Sequence, residues 1–168
     1  MTSNTTDVIG NAWIFGNDID TDQIISGRYL RLLDYSEMAV HAFETINPKF
    51  AENVKENDII VAGGNFGSGS SREEAPMVLV ELGIGCIIAE SFARIFYRNA
   101  FNVGLPVMIV PEATLKIKEG EKIKVDLKTG TLTIMKSGKI LKGEAIPELM
   151  LDFIRMGGAI PRYLGNKK

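Results

Sequence analysis

The spacing of apolar and polar positions changes character near Pro111. Between Asp58 and Val110, short wholly apolar runs take turns with longer mixed segments. Asp58-Ile59-Ile60-Val61-Ala62, Cys86-Ile87-Ile88-Ala89 and Pro106-Val107-Met108-Ile109-Val110 are short, β-branched and bounded by turn residues, the pattern of buried strands. Between them, Met77 to Leu82 reads as the body of a helix closed by Gly83. Phe92 to Phe101 reads as a second helix, with Ser91 as its N-cap and Gly104 as its stop. Strand, helix, strand, helix, strand with right-handed crossovers predicts a parallel or mixed sheet.

After Pro111 the period becomes two. Ile123 to Leu127 and Thr131 to Met135 alternate about Lys128-Thr129-Gly130 and predict an antiparallel hairpin. A third strand is expected around Ile140-Leu141, and a last helix over 148–156, opened by Pro147 and ended by Gly157-Gly158. At the other end, residues up to about Asp7 read as a loose polar lead-in. Val8 to Phe15 read as one or two short strand pieces, and Tyr35 to Glu44 as a helix. No repeat, low-complexity tract or linker interrupts the chain. The expectation is a single α/β domain over 1–168, with 1–7 loose.

Composition narrows the function. At 168 residues, 45% hydrophobic and 24% charged, the chain reads as an ordinary globular protein. A net charge of −2 gives no basis for attraction to nucleic acid or a membrane surface. One cysteine, Cys86, and one histidine, His41, cannot build a zinc site of thiolates and imidazoles or hold an iron–sulfur cluster. A single cysteine fits a reducing compartment. With no signal peptide and no apolar run of spanning length, the expected location is the cytoplasm.

The candidate chemistry sits in Gly63-Gly64-Asn65-Phe66-Gly67-Ser68-Gly69-Ser70-Ser71-Arg72-Glu73-Glu74-Ala75-Pro76, between the first buried strand and its helix. Glycines there let a ligand approach the main chain. Ser70, Ser71 and Arg72 are expected at the helix start, where free N–H groups and the dipole favour a carboxylate or phosphate. A plain capped turn is the alternative. Ser70 stands where a P-loop needs lysine, a third Rossmann glycine is missing, and no nucleophile elbow occurs, so nucleotide binding is not expected. Ligands of such sheets sit beyond the carboxyl ends of strands, so Arg94, Arg98 and Asn99 are candidates for the same rim. Asp18, Asp20 and Asp22 alternate, but Gln23 and Tyr29 stand where an EF-hand needs glycine and glutamate, so a solvated loop with Asx-turns is expected. His41 has no clustered partner in the sequence and reads as an ordinary surface or core histidine.

Asn65 to Glu73 closely resembles the signature of the aconitase-type swivelling domain. Asp18-Ile19-Asp20-Thr21-Asp22-Gln23-Ile24-Ile25, with Tyr29-Leu30 after it, resembles the opening of its stand-alone form: the small subunit of 3-isopropylmalate dehydratase, of the leucine pathway, and of related homoaconitases. The resemblance implies a swivelling β/β/α fold and a hydro-lyase that moves a hydroxyl between neighbouring carbons of a 2-hydroxy polycarboxylate. It implies a separate large subunit, in a heterodimer or heterotetramer, carrying a four-iron, four-sulfur cluster. No cofactor is expected on this chain.

Carried over, Ser70 resembles the general base, and Ser71 and Arg72 resemble carboxylate binders. Asp22 resembles an orienting loop residue. Tyr29, Leu30, Arg31 and Leu32 resemble the loop that meets the variable part of the substrate. An isopropyl group favours an apolar residue at the third position, whereas Arg31 favours a further carboxylate, as in homoaconitases. Leu32 departs from many homoaconitases, and Glu74 stands where histidine is common. Two other readings stand beside this one: a non-catalytic organic-acid-binding module, and a phosphohistidine carrier, against which His41's distance from the glycine loop argues.

Overall fold

The computed structural model describes residues 6–165. Seven strands, β1 (Asp7–Ile14), β2 (Ile59–Ala62), β3 (Cys86–Ala89), β4 (Val107–Ile109), β5 (Lys122–Asp126), β6 (Thr131–Ile134) and β7 (Ile140–Lys142), form one sheet in the order β4-β3-β2-β1-β5-β6-β7. Around it lie α1 (Thr21–Ile24), α2 (Tyr35–Ala39), α3 (Phe50–Asn53), α4 (Glu74–Glu81), α5 (Arg94–Asn102), α6 (Ala113–Lys116), α7 (Glu148–Arg155) and α8 (Ala159–Gly165).

The sheet is parallel from β1 to β4 and antiparallel from β1 through β7. β1 belongs to both parts. Its first five residues pair antiparallel with β5, Asp7 opposite Asp126 and Asn11 opposite Lys122. Its last three pair parallel with β2, Ala12 opposite Ile59 and Ile14 opposite Val61. The region expected as one or two short pieces is thus one continuous strand. Asp7 is its first residue rather than part of a loose lead-in, while residues 1–5 of that lead-in lie outside the described residues.

Burial follows the pairing. Every residue of β2 and β3 is buried, because crossover helices cover a parallel sheet. β5 and β6 alternate, with one face left to solvent. α4 contributes Val78 and Leu79 to the core, and α5 contributes Phe96, Ala100 and Phe101. Under the first crossover, Phe15 stacks on Phe43 with ring centroids 4.3 Å apart, and both meet Phe50 edge-on. At the opposite end, the buried Asp58 carboxylate accepts from the Asn11 amide at 3.1 Å, Trp13 Nε1 at 2.9 Å and the Lys55 amide at 3.0 Å. These donors offset the cost of burying it and tie β1 to the start of β2.

Three helix expectations need correction. The helix expected over 35–44 ends at Ala39, and Phe43 takes a left-handed φ of 56°, donating its amide to Ile24 O at 2.9 Å. Packing of that ring between Phe15 and Phe50 sets the break. Ser91 does not cap α5: Ala93 stands at the N-cap, and the Ser91 hydroxyl accepts from the Asn65 amide at 2.7 Å. Past Gly157-Gly158, where the last helix is expected to end the regular structure, the chain forms α8.

Candidate functional site

The turn after β2 is folded back on itself by its glycines. Gly67 and Gly69 adopt φ of +82° and +90°, a region L side chains avoid, and a Cβ on Gly67 would lie 2.2 Å from Phe96 Cγ. Asn65, at φ +59°, donates its side-chain amide to Asp18 Oδ1 at 2.9 Å. The turn is also laced to the loop after β1. The Thr21 amide donates to Ser68 O at 2.8 Å, and its hydroxyl to Ser70 O at 2.9 Å.

Ser70, Ser71 and Arg72 do not begin the helix. α4 starts at Glu74, with Glu73 at the N-cap and no side-chain cap bond. Pro76 is the reason. A helix capped at Arg72 would need an N–H from residue 76 for its first i→i+4 bond, and proline has none. Pro76 instead takes the third helical position, where no such bond is required. With Glu73 and Glu74 on it, α4 offers an anion little.

The helix start that shares a cavity with Ser70 belongs to α5, and Ser71 does not line that cavity. A cavity of about 300 Å³ is lined by Ser70, Arg72 and Thr21, by Gly67 and Gly69, and by Ala93 to Phe96 with Asn99. α5 has no side-chain cap, so the free amides of its first turn and the positive end of its dipole sit at this cavity. Arg94 and Asn99 line it as expected. Arg98 does not, and borders a neighbouring groove with Tyr97, Phe101, Glu144 and Met150.

Arg72 is oriented before any ligand arrives. Its Nη1 donates to Asp22 Oδ1 at 2.9 Å and to Ile25 O at 3.0 Å, with the side chain only 18% exposed. The rest of the guanidinium makes no hydrogen bond among the described residues, leaving donors for a carboxylate. Asp22 also accepts from the Gly27 amide at 3.1 Å. The Arg72 hydrogen bond first, and the Gly27 amide second, hold the Asp22 carboxyl below its ordinary range. The other two acids have local jobs, Asp18 on Asn65 and Asp20 in a capping box with Gln23. The Ser70 and Ser71 hydroxyls are exposed and have no hydrogen-bond partner among the described residues.

Tyr29 ends a 3-10 turn over Gly27–Tyr29, and Leu30, Arg31 and Leu32 follow it. None of them lines the cavity, yet the turn begins against Arg72: a Cβ on Gly27 would stand 3.3 Å from Arg72 Nη2. Arg31 is exposed without an ion pair among the described residues. His41, expected to stand alone, has partners. It stacks on Tyr29 and faces Glu44 Oε2 at 3.5 Å. Thr21, Ala93, Ile95 and Phe96 line the cavity without a signal in the sequence that singles them out.

The described residues contain no group of three His, Cys, Asp or Glu side chains placed to hold a metal ion. Cys86 is fully buried in β3, and burial pushes its thiol far above the ordinary range. The described residues therefore do not fit an iron–sulfur cluster. No helix among the described residues is long and apolar enough to cross a membrane.

Residues 17–112 match the family model described as the aconitase C-terminal domain. The 3-isopropylmalate dehydratase small subunit 1 of Methanopyrus kandleri is 48% identical over 155 residues, 92% of this chain and 91% of that protein. The isopropylmalate/citramalate isomerase small subunit of Methanocaldococcus jannaschii is 48% identical over 158 residues, 94% of each chain. A crystal structure of 3-isopropylmalate dehydratase from Methanocaldococcus jannaschii superposes with a TM-score of 0.90 at 43% identity, covering 96% of this chain and 95% of that one.

Proposed function

The chain belongs to the aconitase C-terminal domain family and, within it, to the 3-isopropylmalate dehydratase small subunits, and from that premise we propose that it forms half of a hydro-lyase active site completed by a large subunit. The observation that carries the reading is the cavity that joins the unpartnered Ser70 hydroxyl to an Arg72 pre-oriented by Asp22. The substrate class is a 2-hydroxy dicarboxylate such as 3-isopropylmalate, matching the relatives' names.

In this reading Ser70 Oγ, as an alkoxide, takes the proton from the carbon next to a carboxylate. An ordinary serine is far too weak a base for that step. The Arg72 charge and the free first-turn amides of α5 supply the stabilisation. Arg72 grips a carboxylate with the donors that Asp22 and Ile25 leave free, and Ser71 adds a hydroxyl. The four-iron, four-sulfur cluster that the resemblance implies would be held by the large subunit, where it would supply Lewis acid chemistry at the substrate hydroxyl.

The test is turnover of 3-isopropylmalate by the anaerobically reconstituted complex, wild type against Ser70→Ala. A loss of about 10²–10⁴-fold is expected, the usual worth of a general base. Undiminished turnover by the variant overturns the catalytic role and favours a binding module. The exposed, unpaired Arg31 supports a second reading, a tricarboxylate substrate of the homoaconitate type. A preference of the wild-type complex for homoaconitate over 3-isopropylmalate would establish it.

A further inference from the structure

Two anchors hold the turn that begins at Gly27. The first is Asp22, which accepts from the Gly27 amide while it pairs with Arg72. The second is built on Tyr29. Its ring lies flat against the His41 imidazole, ring centroids 3.7 Å apart and planes within 6°. The Tyr29 hydroxyl donates to Glu44 Oε2, which also accepts from Arg28 Nη2 at 3.3 Å. The Arg28 guanidinium lies 4.8 Å from the centre of the Tyr29 ring. The Tyr29 hydrogen bond holds the Glu44 carboxyl below its usual range, so the acceptor stays ionised at neutral pH.

Tyr29 is therefore spent on the protein. Its hydroxyl is engaged by Glu44, and its ring is covered by His41. Arg31 follows two residues later, exposed and unpaired, between the amides of Leu30 and Leu32, which bond back to Gly27 O and Tyr29 O.

We propose that His41 is a positioning residue, whose stack on Tyr29 holds the Gly27–Leu32 turn in register with Arg72 and so sets which substrate side group Arg31 and Leu30 meet. This rests on the proposed isomerase reading, and it gives the chain's single histidine a role in selection rather than in proton transfer. A flat ring is what the position requires. Stacking of two planar side chains is worth about three- to tenfold in an equilibrium, and alanine removes it while phenylalanine keeps it.

The experiment pairs His41→Ala with His41→Phe. In the reconstituted complex, His41→Ala is expected to raise KM for 3-isopropylmalate about three- to tenfold, with kcat within about twofold. It is also expected to change the ratio of kcat/KM between 3-isopropylmalate and homoaconitate, and His41→Phe to restore both. In the full chain alone, His41→Ala is expected to speed amide exchange of Leu32 by a similar factor, again restored by phenylalanine. Unchanged exchange at Leu32, or a fall in kcat with KM and the substrate ratio unmoved, overturns the proposal. If the wild-type complex turns over neither substrate, the isomerase reading fails and the exchange result decides the positioning role by itself.

Discussion

The two parts of the sheet use similar apolar residues, yet the candidate site lies at the parallel one. β2 and β3 are buried at every position, and each is followed by a crossover that starts at the same end of the sheet. The turn after β2 brings Ser70 and Arg72 to that end, and the turn after β3 brings the first turn of α5. β5, β6 and β7 are joined by tight turns that fall at alternate ends, so their loops cannot converge. Convergence here follows from the kind of connection rather than from the residues available.

The strongest way to break this contrast is at the glycines. In Gly67→Ala the new Cβ meets the base of Phe96 in a backbone already at φ +82°, and a loss of about 3–5 kcal/mol is expected. Gly138, at φ +73° in the antiparallel part, has open space around it, and Gly138→Ala should cost only about 1–2 kcal/mol. Urea unfolding of both variants measures the difference, and equal losses would deny that the site turn is the tighter one. Next comes the core. Ile88→Ala in β3 should cost about 2–4 kcal/mol, because the residue is fully buried. Ile140→Ala in β7, where the side chain is 58% exposed, should stay within about 0.5 kcal/mol.

The smallest effect sharpens the contrast at the site itself. Asp22 is stabilised in its charged form by Arg72 and the Gly27 amide, so its pKa in the fold is lowered. Its contribution is thus complete above the ordinary aspartate value of about 3.9 and is lost as pH falls through the lowered one. An NMR titration of the Gly27 amide should show an acid step centred below about 3.9 that vanishes in Asp22→Asn. A step at or above that value would mean that Asp22 and Arg72 are not paired in solution.

What could be read from the sequence is what local pattern dictates. The runs Ile59–Ala62 and Cys86–Ala89 are apolar throughout and sit between turn residues, so β2 and β3 were legible almost to the residue. The hairpin of β5 and β6 was legible from its alternation about Lys128-Thr129-Gly130. The start of α4 was legible in principle, since Pro76 excludes a helix capped at Arg72, but the glycines and serines drew the boundary earlier. The double pairing of β1 and the stack of His41 on Tyr29 left no local trace. Each depends on residues brought together only by the completed sheet. Of the candidate site, Arg72 is legible in the glycine-rich turn and Asp22 in the family resemblance, and the geometry joins them in an ion pair.

The shared strand β1 also has a consequence for how the chain is made. Its first residue must wait for Asp126, the last residue of β5, before that edge is paired. At ribosomal speeds of about 5–20 residues per second, the wait is on the order of ten seconds. Throughout it the nascent chain holds an N-terminal strand with one open edge, in the window when aggregation and chaperone capture compete with folding. The strand that unites the two parts of the sheet is thus the one that waits longest along the chain for its second neighbour.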